Sequence, residues 1–177
     1  MAQSRFAEAL NGQIAYEFGA SQQYVAIAVY YDGETLPRLA AHFYQQSLEE
    51  RNHAMMMIQY LLDAGAEPVV PSVAGPQTRF DDIVAPVALA LDQERRVADQ
   101  VTRLAAVARD AGDYASEQFM SWFIKEQVEE IASMNDLLTV VTRAQNDPMR
   151  AEEFLARERA GEAAEPAGAP AAAGGAL

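Results

Sequence analysis

Residues 44–62 read YQQSLEERNHAMMMIQYLL. Apolar residues recur there at steps of three and four, which predicts one face of a long helix. Glu50 and His53 stand on that same face, one turn apart, where leucine would pack better. Carrying the period outward gives four long helical segments, over about 4–31, 36–64, 84–110 and 114–143, and a short fifth over about 149–159. Stop signals agree with these bounds: Gly65 follows the second segment, Gly112 the third, and Asn146, Asp147 and Pro148 the fourth. Asp82 is a candidate cap for the third, whose first turn tolerates Pro86. The reading is all-α, with residues 1–160 as one domain. Residues 161–177, rich in Ala, Gly and Pro, are expected to be a flexible tail that builds no core.

Connection lengths set the topology. Short turns, DGET and AGD, join the first segment to the second and the third to the fourth, so each pair is expected to be an antiparallel hairpin. The second and third are joined by GAEPVVPSVAGPQTRFDD, a stretch with no helical pattern. A helix of about 28 residues is roughly 42 Å long and about 18 extended residues reach roughly 60 Å, so this link can run the length of the bundle. The second and third helices are then parallel, giving an up-down-down-up four-helix bundle with a long crossover.

Composition narrows the function classes. With 13 Lys and Arg against 26 Asp and Glu, the formal charge is −13. That balance, without any basic stripe, disfavours nucleic acid and suits cations. Cysteine is absent, which excludes disulfides and thiolate metal sites. The opening MAQSRFAEAL lacks an export pattern, and no stretch reaches the roughly 18 weakly charged residues of a membrane span, so no membrane partner and a cytoplasmic location are expected.

Every predicted helix interrupts its apolar seam near its middle. The first carries Leu10, Ile14, Glu17, Ser21, Tyr24 and Ala28; the second Leu39, Phe43, Gln46, Glu50, His53, Met57 and Tyr60. The third carries Val87, Ala90, Glu94, Val97, Val101 and Leu104; the fourth Met120, Phe123, Gln127, Glu130, Met134, Leu137 and Val141. Being central, the polar residues meet at one level whichever way each helix runs. Any one of them alone reads as a stray surface glutamate or a hydrogen-bonded core histidine. Four carboxylates, an imidazole and an amide converging in an apolar bundle would repel one another and lose their hydration, unless protons or cations hold them together. Oxygen donors with one imidazole suit iron, manganese or zinc. Glu50 and His53, at i and i+3, can reach one ion, and four carboxylates can balance two divalent ions. The donor inventory leaves iron against manganese open.

The stretches QQYVAIAVY, HFYQQSLEERNHAMM, LALDQER and EQFMSWFIKEQVEE resemble the non-haem bacterial ferritins, in particular their actinobacterial members. The resemblance covers roughly residues 5–158, and its polar positions agree on four separate helices; a di-iron site in such a bundle is the general example of this architecture. It implies an iron-storing ferroxidase with Fe(II) and Fe(III) at two positions per subunit. Glu17, Glu50 and His53 would bind the first iron; Glu50 would bridge to a second held by Glu94 and Glu130, with Gln127 beside the pair. Glu49, Glu126 and Glu129 match the residues that form a third iron position with Glu130. Tyr24 matches a tyrosine near the centre, and Trp122 and His42 are read as packing or contact residues. The resemblance further implies a homo-oligomer of 24 subunits enclosing a cavity for hydrated ferric oxide, with O2 or H2O2 as oxidant. The tail could dock the assembly in an encapsulating shell. Haem is not expected, because Arg51 stands where bacterioferritins place an axial methionine; Met55, Met56 and Met57 are read as core and contact residues.

Other readings within the fold class fit less well. A rubrerythrin-like peroxidase lacks its cysteine cluster here, and a manganese catalase would have Glu-x-x-His where this chain has Gln127-x-x-Glu130. A DNA-protecting mini-ferritin shares its ligands between subunits and has no fifth helix. A purely structural bundle would need another reason for six inward polar residues at one level.

Overall fold

The computed structural model describes residues 4–158 and 168–177. It contains α1 (Arg5–Gly33), α2 (Pro37–Asp63), α3 (Ala85–Asp110), α4 (Tyr114–Arg143) and α5 (Met149–Glu158), with no strand among the described residues. Two helix ends differ from the sequence reading in a way the backbone explains. α1 continues through Gly33, and the chain reverses at Thr35, which takes a left-handed φ of 61°. α2 begins only at Pro37, whose fixed φ suits the first helical position. Gly65 and Gly112 end α2 and α3 with φ of 69° each, a conformation that costs glycine little. The expected last residue of the fifth helix, 159, lies outside the described residues.

The direction of each helix follows from how the core is divided. One apolar cluster gathers Tyr24–Tyr31 side chains of α1 with Leu39 and Phe43 of α2, Val87 and Leu91 of α3, and Met134, Leu137 and Val141 of α4. A second gathers Leu10 and Ile14 of α1, Met57 and Leu61 of α2, Val97, Val101 and Leu104 of α3, and Met120 and Phe123 of α4. α1 and α4 therefore run from the second cluster to the first, and α2 and α3 from the first to the second. This is the up-down-down-up order, with α2 parallel to α3.

The crossover is fastened along α1 rather than left as a free loop. The Asn11 carboxamide donates to the Glu67 carbonyl (3.0 Å) and accepts from the Val69 N–H (2.7 Å). About three turns further on, the Gln23 carboxamide makes the same two-point pairing with Gln77, 2.8 Å in each direction. The Tyr31 hydroxyl then donates to the Ile83 carbonyl at 2.6 Å. Asp82 accepts from the N–H groups of Val84 (2.9 Å) and Ala85 (2.8 Å), starting α3. Each of these bonds satisfies loop backbone that no sheet or helix would satisfy.

α5 is tied to the bundle by a cap in trans. α2 has no side chain of its own on its first N–H groups. Instead the buried Glu152 of α5 accepts from Arg38 N (2.8 Å) and Leu39 N (2.9 Å), placing a carboxylate at the positive end of the α2 dipole. Ala151 and Leu155 of α5 join the first cluster.

The expectation that the tail buries nothing does not hold at its end. Ala172 and Ala173 pack against the second cluster, and Ala173 N–H donates to the Met55 carbonyl at 3.0 Å. The Asn52 carboxamide donates to the Leu177 carbonyl (3.3 Å) and accepts from the Leu177 N–H (3.2 Å). Small side chains let the tail backbone lie close to α2, and a carboxamide can pair with a peptide edge as another peptide would. Residues 161–167 of the expected tail lie outside the described residues. Asn52→Leu removes both bonds to Leu177, and two neutral hydrogen bonds contribute about 1–3 kcal/mol net. Exchange of the Ala173 amide should accelerate by about tenfold or more while the bundle's thermal transition hardly moves; unchanged exchange would mean that Asn52 does not hold the tail.

Candidate metal centre

Between the two apolar clusters lies a polar layer. The six inward positions read from the sequence are all nearly sealed from solvent: Glu17, Glu50 and Glu94 are 1% exposed, Gln127 5%, His53 6% and Glu130 7%. Each long helix contributes from its middle, so the layer is where the seam interruptions of α1, α2, α3 and α4 coincide. Glu17, Glu50 and His53 each bring a ligand atom within 4.8 Å of the other two. The Nδ1 of His53 lies 3.8 Å from Glu50 Oε2. Phe123 and Trp122 set their rings edge-on to the imidazole, at centroid distances of 5.7 and 5.6 Å, which orients it. Trp122 thus remains a packing residue, but one that packs on a candidate ligand.

On the α3–α4 side, Glu94 is held at both oxygens. Tyr24 donates its hydroxyl to Oε1, and Gln127 Nε2 donates to Oε2 at 2.9 Å. Glu17 Oε1 accepts from Gln13 Nε2 at 2.8 Å. In contrast, no N–H or hydroxyl among the described residues reaches Glu17 Oε2 or Glu50 Oε2, although both atoms are buried; only a proton shared between these two carboxyls could bridge them. A buried carboxylate oxygen without a donor loses its hydration and regains nothing, so two such atoms on residues of the Glu17, Glu50 and His53 cluster fit a cation better than they fit a folded core.

Electrostatics agree with the geometry. Burial, reinforced by Glu94 and Glu17, pushes Glu50 well above the ordinary carboxylate range. Burial does the same to Glu130, with Glu94, Glu49, Glu126 and Glu129 adding repulsion. Glu94 is pushed up to about 7, chiefly by burial and against the bonds from Tyr24 and Gln127. Glu17 is raised by burial, opposed by its bonds to Glu50 and Gln13. Burial lowers His53 to about 4, so its imidazole is neutral and can serve as a donor to a metal. Tyr24 is raised well above its ordinary value by burial and by the charge of Glu94, and stays a hydroxyl.

Glu49, Glu126 and Glu129 are not inside the sealed layer. Glu49 and Glu126 are half-buried and Glu129 is exposed, where it pairs with Lys125 at 3.6 Å. Glu49 accepts from Gln45 (3.2 Å) and from Gln46. Burial, then the nearby charges of Glu129 and Glu49, raises Glu126. The charges of Glu49, Glu126 and Glu129 repel that of Glu130, so all three lie near it, outside the sealed layer. Two contributors escaped the sequence reading. Gln13, one turn before Glu17, is 3% exposed, and Gln46 stood on the seam without a role. The signal for Gln13 was available, since an amide at i−4 from a buried carboxylate shares its face. Met57 is fully buried and Met56 nearly so, as core residues. His42 sets its ring edge-on to Phe43 at 5.2 Å.

A helical bundle with a buried layer of carboxylates and one imidazole is an arrangement that could hold metal ions. Residues 7–144 match the ferritin-like domain. The chain is 53% identical over 174 residues to the ferritin BfrB of Mycolicibacterium smegmatis, covering 98% of this chain and 96% of that protein. It is 36% identical over 140 residues to a bacterial non-heme ferritin of Staphylococcus aureus, covering 79% and 84% respectively. An open pore ferritin from the archaeon Archaeoglobus fulgidus superposes with a TM-score of 0.84 at 28% identity, over 92% of this chain and 100% of that one. The chain belongs to the ferritin family, and iron storage is the function that membership supports.

The layer predicts an inverted pH response in the metal-free protein. A carboxyl raised by folding stabilises the native state below its unfolded pKa, and that stabilisation is lost as pH rises through the folded value. His53, depressed to about 4, acts oppositely, but only below its unfolded value of about 6.5. From about pH 6.5 upward through 7 the carboxyls therefore act unopposed. In chelator, the thermal transition should fall between pH 6.5 and 8; a transition that does not fall over that interval would mean that the four carboxyls are already ionised in the metal-free fold.

Proposed function

We propose that this chain oxidises Fe(II) at a two-ion centre and stores the product as hydrated ferric oxide inside a hollow assembly of 24 copies. The observation that carries the reading is the pair of buried oxygens, Glu17 Oε2 and Glu50 Oε2, that no N–H or hydroxyl among the described residues reaches. Iron is the substrate and the cargo. Glu17, Glu50 and His53 would take the first ion, while Glu50 would bridge to a second taken also by Glu94 and Glu130. Gln127 donates its Nε2 to Glu94, which leaves its Oε1 for the second ion or for a water beside it.

Charge and protonation support this division of labour. Four carboxylates neutralise two divalent ions, and metal binding displaces the protons that burial would otherwise keep on Glu50, Glu94 and Glu130. Each Fe(II) gives up one electron. The two electrons reduce O2, with two protons, to H2O2, or reduce H2O2, with two protons, to two waters. Pairing the ions lets both electrons leave together, so no radical is set free. Tyr24, hydrogen-bonded to Glu94, orients that ligand and stands close enough to the centre to pass an electron. Glu49, Glu126 and Glu129 would form, with Glu130, a third iron position leading away from the sealed layer. The net charge of −13 favours the approach of Fe(II). No helix among the described residues is long and apolar enough to cross a membrane, and a cytoplasmic location accords with the chemistry.

Metal-free protein mixed with Fe(II) in air should consume oxidant and retain iron far beyond two ions per chain. Glu94→Ala should leave the first ion bound and slow oxidation by about tenfold or more, which is about 1.4 kcal/mol of barrier. Oxygen uptake, iron retained after gel filtration and anaerobic Fe(II) titration check these outcomes together. Rapid oxidation without retained iron would point to a peroxidase instead, and equal loss of both ions in Glu94→Ala would overturn the ligand division.

A further inference from the structure

Gln13 is a neutral residue buried one turn before Glu17, and its nitrogen makes two bonds. Nε2 donates to Glu17 Oε1 at 2.8 Å and to Gln100 Oε1, on α3, at 3.2 Å. A carboxamide nitrogen carries two hydrogens, so both bonds can exist at once. An ionised carboxylate accepts only, which fixes the nitrogen rather than the oxygen of Gln13 toward Glu17. Gln100, half-buried, holds the second hydrogen and so prevents the amide from turning over. The carboxylate is thereby unsymmetric: one oxygen is engaged by Gln13 and the other, Oε2, is buried with no N–H or hydroxyl of the described residues on it.

We infer that Gln13 is a positioning residue for the first iron, holding Glu17 by one oxygen so that the carboxylate meets the ion through Oε2 alone. The inference rests on the proposed binding of that ion by Glu17, Glu50 and His53. Its consequence is a low protein donor count. A carboxylate tied at Oε1 cannot swing both oxygens onto one ion without breaking the Gln13 bond. The first ion then receives one oxygen from Glu17, with Glu50 and His53, and keeps open positions for the oxidant. Without Gln13, Glu17 is free to rotate and chelate, filling one of those positions. Gln13 touches neither ion nor oxidant and acts only through Glu17.

Co(II) reports the difference without turnover, because its visible absorption is strong at coordination numbers of four or five and weak at six. The experiment is an anaerobic Co(II) titration of the assembled metal-free protein and of Gln13→Met, which keeps the side-chain length and loses the donor. In the unsubstituted protein the first equivalent should bring in a visible band. In Gln13→Met the same equivalent should bind and most of that band should be lost. With Fe(II), the variant's kcat should fall while its KM for Fe(II) does not rise, since binding is kept and an open position is filled. Should Gln13→Met fail to assemble, Gln13→Asn serves: it keeps a carboxamide one methylene too short to reach Glu17, and the same loss is expected. A band of unchanged intensity in either assembled variant overturns the positioning role. A first equivalent that never binds the unsubstituted protein overturns instead the binding site on which the inference rests.

Discussion

An ionised carboxylate moved into an apolar interior pays a penalty of several kcal/mol even after the protein relaxes. Glu17, Glu50, Glu94 and Glu130 undergo that transfer together, at one level of one bundle. Among the described residues no lysine or arginine pairs with any of the four, and the one imidazole is neutral because burial lowers it to about 4. The layer has two ways out, protons on the carboxyls or bound cations, and burial, which raises Glu50, Glu94 and Glu130, favours the first when no metal is bound. Binding metal exchanges those protons for ions, so affinity and stability are two faces of one equilibrium.

Much of the remaining architecture keeps that layer in register. The apolar core is split into two clusters, one on each side of the carboxylates, so each long helix is gripped above and below its polar residue. Neutral carboxamides do the fine holding. Asn11 and Gln23 fix the crossover to α1, which allows α2 and α3 to run parallel. Gln13 and Gln127 fix individual carboxylates. A carboxamide can restrain a carboxylate without adding charge to a site whose balance depends on charge. Glu152 works in the opposite sense, placing its charge where the exposed N–H groups of α2 need it.

The fold was legible because each helix carried one clean period, and the interruptions of that period gave the site. Glu17, Glu50, His53, Glu94, Gln127 and Glu130 are all buried at one level, as their central positions required. The crossover was legible in its length and lack of helical period, but its fastening was not: Asn11 and Gln23 lie off the inward seam, and nothing local tells a solvated amide from one paired with distant backbone. Gln13 did carry a local signal, one turn before Glu17 on the same face, but a single glutamine beside a seam also looks like surface. The tail misled through composition. Ala and Gly bring little area of their own to bury, yet their small size lets backbone groups reach Asn52 and Met55. Pairwise contacts of that kind belong to tertiary structure and leave no periodic trace.

The central claim is that Glu50 and His53 occupy core positions for the sake of a cation and at a cost to the metal-free fold. Replacing both by leucine removes a carboxyl held well above its ordinary range and a desolvated imidazole, against an overpacking penalty of about 1–3 kcal/mol if the branched side chains fit poorly. Paired calorimetric scans of the assembled protein and of Glu50→Leu/His53→Leu, under nitrogen with and without Fe(II), test it directly. The account predicts that the metal-free variant melts at least as high as the metal-free parent, and that Fe(II) raises the parent's transition while hardly moving the variant's. A variant less stable in both conditions, with no protection of the parent by Fe(II), would mean that the two residues serve the fold through their own contacts and that the layer was not built around a cation.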